Sequence, residues 1–235
     1  MLLSDSTHSF AEISAGSFPF NRILPAAAET YAPGKPLKAA RLAQLAVKEV
    51  WMAPKTVLAN AAAPGNAQPT DVFLVTVVTD NQSNDPVQFQ IKSFRNPARG
   101  GFLPLPSCGA VGYRSDPEKR PTSLDYRILL IETPLGMHEV NSLYQRVVND
   151  SKYRSVRSIL TNVATVAPPS ASLMAVASDV VLNLTTRLIQ GDEETTQLIC
   201  ARGSFDKNED NLGTRYGLIS QANPLTRIKY QVEIV

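Results

Sequence analysis

Nucleophilic catalysis needs few residues: a serine or cysteine nucleophile with a base in reach. The chain offers two histidines, His8 and His138, and two cysteines, Cys108 and Cys200. No Gly-x-Ser-x-Gly turn is present to expose a nucleophile. His138 follows Gly136-Met137 at the start of a helical run, the place of a surface or capping side chain rather than a general base. The cysteines lie far apart, match no zinc spacing, and read as two buried, reduced thiols. Paired carboxylates are the next chemistry. The acids cluster in Asp80/Asp85, in Asp192-Glu193-Glu194 and in Asp206 to Asp210, all turn-like stretches where Asp and Asn are favoured for backbone reasons alone.

Calcium is the remaining inorganic candidate. From Asp206, the segment Asp206-Lys-Asn208-Glu-Asp210-Asn-Leu-Gly213 satisfies positions 1, 3 and 5 of an EF-hand loop. Position 6 is Asn211 rather than Gly, and position 12 falls on Gly217, where a bidentate Glu is required. The segment reads as a hairpin turn. Gly100-Gly101 enters a proline-rich loop, not a helix, so no phosphate cradle is expected. The basic side chains Arg146, Lys152, Arg154 and Arg157 form either a solvated helix face or a patch for an acidic partner.

The elements that would position these residues are easier to read. The 235 residues suffice for one sizeable core, with 43% apolar and 19% charged side chains and a net charge of +2. That balance gives no long-range field to attract nucleic acid or an anionic membrane. Residues 1–38 read as an extended arm: Pro19, Pro25, Pro33 and Pro36 interrupt it, yet it carries apolar anchors, including Phe10, Phe18, Phe20 and Tyr31. Such an arm docks on its own domain or on a neighbouring subunit. Its basic residues Arg22, Lys35 and Lys38 are balanced by Asp5, Glu12 and Glu29, unlike a nucleic-acid-packaging arm. The first twenty residues lack the basic start of a signal peptide, and the longest membrane-span candidate, Val163 to Leu182, is broken by Pro168-Pro169 and Asp179. The sequons at Asn81, Asn149 and Asn183 therefore read as chance matches, and a cytoplasmic location is expected.

Residues 42–52 fit helix or strand. The second half leans to strand, with Ala46, Lys48, Val50 and Met52 on one face against Val47, Glu49 and Trp51 on the other. Val72 to Thr79 is a β-branched run suited to burial on both faces. After the turn Asp80 to Pro86, Val87, Phe89 and Ile91 alternate as a half-buried strand. Residues 95–123 allow only short extended pieces, near 102–105 and 110–113. Leu124 to Ile131, Leu198 to Phe205 and the alternating C-terminus Ile228, Tyr230, Val232, Ile234 are further strands. Between them the period becomes helical: Val140 to Val148, then Val156 to Ala167, then a run from a Ser170 cap to Gly191, the last two forming a helical hairpin.

The pattern Leu124-Asp-Tyr-Arg-Ile-Leu-Leu-Ile-Glu132, then helices, then Gly203-Ser-Phe-Asp206 with Asn211-x-Gly213 and a closing strand, resembles C2-like β-sandwich domains of bacterial proteins with an inserted helical pair. The resemblance covers residues 72–235. It implies an antiparallel sandwich of about eight strands and a role in binding protein or membrane. The calcium ligands it would require fall on Asp80, Asp85, Asp206 and Asp210.

The expected architecture is therefore mainly β: an arm over residues 1–38, then a C2-like sandwich over 39–235 with a helical insertion at about 138–190. The expected function is a non-enzymatic interaction module, without cofactor unless calcium. It binds a protein partner or self-associates through its arm and helices, with Phe10, Phe18, Phe20, Tyr31, Arg146, Arg154 and Arg157 as contacts. Two other classes fit: a structural subunit of a phage, contractile particle or shell, and a membrane-contacting effector or calcium-dependent lipid binder that does not span the bilayer.

Overall fold

A computed structural model of the chain describes residues 30–31, 43–54, 69–82, 85–115, 121–134, 139–190, 195–206 and 218–234. Their strands are β1 (Thr30–Tyr31), β2 (Ala43–Met52), β3 (Thr70–Asp80), β4 (Val87–Arg95), β5 (Gly101–Phe102), β6 (Ala110–Arg114), β7 (Ser123–Pro134), β8 (Thr196–Asp206), β9 (Leu218–Asn223) and β10 (Thr226–Ile234). Helices α1 (Val140–Asn149), α2 (Ser151–Ala164) and α3 (Ala171–Gln190) lie between β7 and β8. One antiparallel sheet runs β1-β9-β10-β2, with β5 and β6 sharing the far edge of β2. The other runs β4-β3-β7-β8.

The apolar run in β3 explains the layering. Its even residues Val72, Leu74 and Val78 enter the core between the sheets, with Leu124, Ile128 and Leu130 of β7 and Val47, Val50 and Met52 of β2. Its odd residues Phe73, Val75 and Val77 enter a second core under the helices, with Leu129 and Ile131 of β7, Leu143 and Val147 of α1, and Val181 of α3. Strand side chains alternate between faces, so only a strand covered on both sides is apolar throughout. The molecule is thus sheet on sheet on helices.

β2 is a strand over its whole length, and its faces differ from simple alternation. Ala43, Leu45 and Val47 point inward, as do Val50 and Met52. The parity changes at Lys48. In the β2–β10 ladder Glu49 faces Lys229 and Val47 faces Tyr230, so the register skips Lys48. This is a β-bulge, and the extra residue turns the following side chains over. The expected face Ala46, Lys48, Val50, Met52 is therefore corrected upstream of the bulge.

The helical insertion holds three helices, one for each of the three expected helical runs, so a further helix precedes the hairpin. Asp150 ends α1 and starts α2 in extended conformation (φ −68°, ψ 140°), and its carboxylate accepts the Lys152 N–H at 2.7 Å. α2 therefore begins at Ser151, before the expected Val156. Pro168-Pro169 separates α2 from α3, and Ser170 Oγ accepts the Leu173 N–H at 3.3 Å, the expected cap. Among the described residues α3 alone has the length and apolar composition to cross a membrane, and half of that stretch is buried inside this fold.

Candidate functional site

The buried polar side chains of the four-stranded sheet fasten its layers together. On β7, Asp125 and Arg127 are two apart and project toward the helices, a consequence of strand alternation. Arg127 donates through Nη1 to Asp125 Oδ1 at 2.6 Å and through Nε to Asp179 Oδ1 of α3 at 2.8 Å. Burial raises the Asp125 carboxyl above its ordinary range, against the pull of the Arg127 charge. Burial alone would lower Arg127, but the Asp179 hydrogen bond and the Asp125 charge outweigh it and hold the guanidinium charged. Alongside, Thr79 Oγ1 of β3 donates to the Met174 carbonyl at 3.0 Å and shares a 3.0 Å hydrogen bond with Ser178 Oγ. Charge-assisted bonds thus tie β7 to α3, and neutral hydroxyl bonds tie β3 to the same helix.

On the opposite face, Tyr113 of β6 donates to Asp80 Oδ2 at 2.8 Å, both side chains being fully buried. Burial, and then the Asp80 charge, push the Tyr113 hydroxyl far above the usual phenol range. This bond closes the sandwich at the end of β3. Nearby, Asn81 Oδ1 accepts the Thr122 and Ser123 N–H groups at 3.0 and 3.1 Å, tying the end of β3 to the start of β7.

The margin where β4 meets α1 and α2 is different in character. Phe89 of β4 stacks on Tyr144 of α1 (centroids 4.8 Å, interplanar 20°) and meets Tyr153 of α2 edge-on (5.5 Å, 69°). Tyr153 Oη donates to the Val87 carbonyl at 3.3 Å. Burial and the Asp85 charge push its hydroxyl up to about 12. Arg157 Nε reaches Asp85 Oδ1 at 3.0 Å across the same margin, with both side chains half exposed. Burial raises the Asp85 carboxyl, Arg157 opposing. Tyr144 remains 42% exposed on top of this cluster. Further along β4, residues 91–95 line an open groove of about 580 Å³ together with Pro97, Pro104, Pro106 and Val140.

The expected site residues are distributed as follows. Asp80 turns inward to Tyr113, and Asp85 sits on Arg157. Asp206 pairs through its backbone with Ser123, while Asp210 lies outside the described residues. Among the described residues no three His, Cys, Asp or Glu side chains are grouped to hold a metal ion. Arg146, Arg154 and Arg157 are exposed on α1 and α2, and Arg154 Nη2 donates to the Asn149 carbonyl at 2.5 Å. Thr30 and Tyr31 pair with Ser220 and Ile219 of β9, so this piece of the arm docks on its own chain. Phe10, Phe18, Phe20, His8 and His138 lie outside the described residues. The cysteines are free, as expected, but not buried: Cys108 is exposed in the turn before Gly109, and Cys200 is half-buried.

Sequence reading missed the Asp125–Arg127–Asp179 cluster. The signal was two charges two residues apart in an otherwise apolar strand, facing one acid in an apolar helix. Neither the known protein families nor the curated proteins contain a match to this chain.

Proposed function

We propose that the protein is a non-catalytic interaction module that engages another protein chain at the margin between β4 and the helical layer. The observation that carries this reading is Tyr144: it is built rigidly onto Phe89, yet 42% of it faces solvent. A pre-ordered, half-exposed aromatic side chain gives contact area at small entropic cost, which is why tyrosine is enriched where proteins bind each other. Val166 at the α2–α3 turn (88% exposed) and Val176 on α3 (39%) add exposed apolar area to the same layer. Arg146 and Arg154 supply charge on the same helices. The acids Asp80, Asp85, Asp125 and Asp179 are each engaged by a tyrosine or arginine, which supports a structural role for them.

The C2-like family reading belongs to the same proposal. It is supported by two antiparallel sheets packed face to face and by helices inserted directly before β8. Placing a photo-crosslinking amino acid at position 144 in the full chain, in the cells that make it, tests the interaction reading. A discrete adduct from position 144, and none from Gln231 on the opposite sheet, is the expected result. The adduct mass separates a second copy of this chain from a different protein. Equal or absent adducts at both positions refute the reading.

A further inference from the structure

We infer that the free edge of β4 accepts an extended acidic segment of a partner protein as an added strand. The inference rests on the interaction reading above and names the partner's chemistry. β4 ends its sheet, pairing β3 on one side and no strand on the other among the described residues. An edge strand presents outward-facing N–H and C=O groups that pair readily with another chain. Here that strand borders a groove: five consecutive residues, 91–95, line it, a run of about 17 Å at 3.4 Å per residue. Pro104, Pro106 and Val140, at the start of α1, complete its lining. Prolines have no N–H, so these lining residues do not compete with β4 for a peptide's carbonyls.

The charge of the groove selects the occupant. Lys92 and Arg95 both line it, and among the described residues neither is held in an ion pair. Their placement is more specific than a basic patch. Lys92 pairs with Leu74, whose side chain enters the inter-sheet core, and Arg95 pairs with Asp71, on the helix side of β3. Lys92 and Arg95 therefore project from opposite faces of the strand, three residues apart. A strand laid along β4 sets one residue beside Lys92 and another, three positions away, beside Arg95, on its other face. Acids at positions i and i+3 of an extended segment meet both cations, as cross-strand charge pairs do. Charges on an edge strand also discourage unwanted pairing. That role alone predicts no binding of such a peptide.

The test uses the full chain and a fluorescein-labelled peptide, Thr-Val-Glu-Val-Val-Glu-Val-Thr, read by fluorescence anisotropy. A matched peptide with Lys at both Glu positions is the comparison. The acidic peptide is expected to bind roughly tenfold more tightly than the lysine peptide, as two cross-strand charge pairs imply. The Lys92→Glu/Arg95→Glu variant is expected to reverse that order. Amide hydrogen exchange on the unaltered protein gives a readout without any variant: residues 91–95 gain protection when the acidic peptide is added. Equal affinity for the two peptides, unchanged preference in a folded double variant, or no protection in β4 each overturns the inference. If position 144 crosslinks a partner while the peptide fails, the groove assignment falls and the interaction reading stands. If position 144 crosslinks nothing, the broader reading falls with it.

Discussion

Arg127 of β7 and Arg202 of β8 stand directly opposite each other in the ladder, and Asp179 of α3 lies 2.8 Å from the first and 3.8 Å from the second. Like charges directly opposite destabilise a strand pair. Here an acid from the covering helix compensates them, so one carboxylate both relieves the sheet and anchors α3.

This arrangement predicts unequal costs for its members. Arg127→Leu leaves the buried Asp125 carboxyl without its cation and is expected to cost about 3–5 kcal/mol in urea unfolding. Asp179→Ala is milder because its side chain is 39% exposed, at about 1–2 kcal/mol. In an Arg202→Gln background the Asp179→Ala cost should shrink, because the facing positive charge is gone. Equal costs in both backgrounds would show that Asp179 does not bridge the two strands.

Tyr153 sets an alkaline limit on stability. Its hydroxyl ionises near 10 in the unfolded chain and is pushed up to about 12 in the fold by burial and the Asp85 charge. The folded state therefore holds this proton more tightly. The resulting stability is complete below pH 10 and is lost as pH rises through 12. Tyr153→Phe is expected to be about 0.5–1.5 kcal/mol less stable than the parent at pH 8, through the lost bond to the Val87 carbonyl. Toward pH 12 that difference should vanish and then reverse. Guanidinium unfolding of both proteins across this range checks the crossover.

Gly112 marks a close approach between the sheets. A Cβ there would sit 2.5 Å from Thr76 Oγ1 and 2.8 Å from Thr76 Cβ, atoms held close to the β3 backbone. The β2–β6 ladder steps from Leu45–Tyr113 to Ala46–Val111, which leaves Gly112 as the bulged residue. Gly112→Ala is expected to destabilise by about 1–3 kcal/mol, the usual cost of overpacking. The penalty should fall when Thr76 is also Gly, and thermal melts of the four proteins measure that coupling. A penalty independent of Thr76 would place its origin in the bulge itself.

Asp150 divides α1 from α2. Asp150→Ala removes the acceptor for the Lys152 N–H and is expected to cost about 1 kcal/mol. Asp150→Asn retains the cap and should recover most of it. If Asn is no better than Ala, the carboxylate's charge rather than its hydrogen bond holds the junction.

The basic logic of β3, β7 and the three helices is written locally. Val72 to Thr79 is almost entirely apolar and β-branched because both its faces are covered, and the absence of polar alternation carries that information. The cap at Ser170 and the break at Pro168-Pro169 are likewise short-range chemistry, readable from a few neighbours.

Other features depend on residues far apart in the chain. The parity change at Lys48 follows from pairing with Lys229 and Tyr230, and Lys48 Nζ reaches the Cys108 carbonyl at 3.2 Å. No count of alternating residues within β2 reveals where its partner skips a position. The charge cluster under α3 joins Asp125, Arg127 and Asp179 across more than fifty residues, and the β4 groove gathers a strand edge, a proline loop and the first turn of α1. Amino-acid order determined β3, β4, β7, β8, β10 and the three helices, because periodicity and capping act within one or two turns. Tertiary packing decided which faces meet and which edge stays open, because those outcomes depend on side chains brought together only when the layers close.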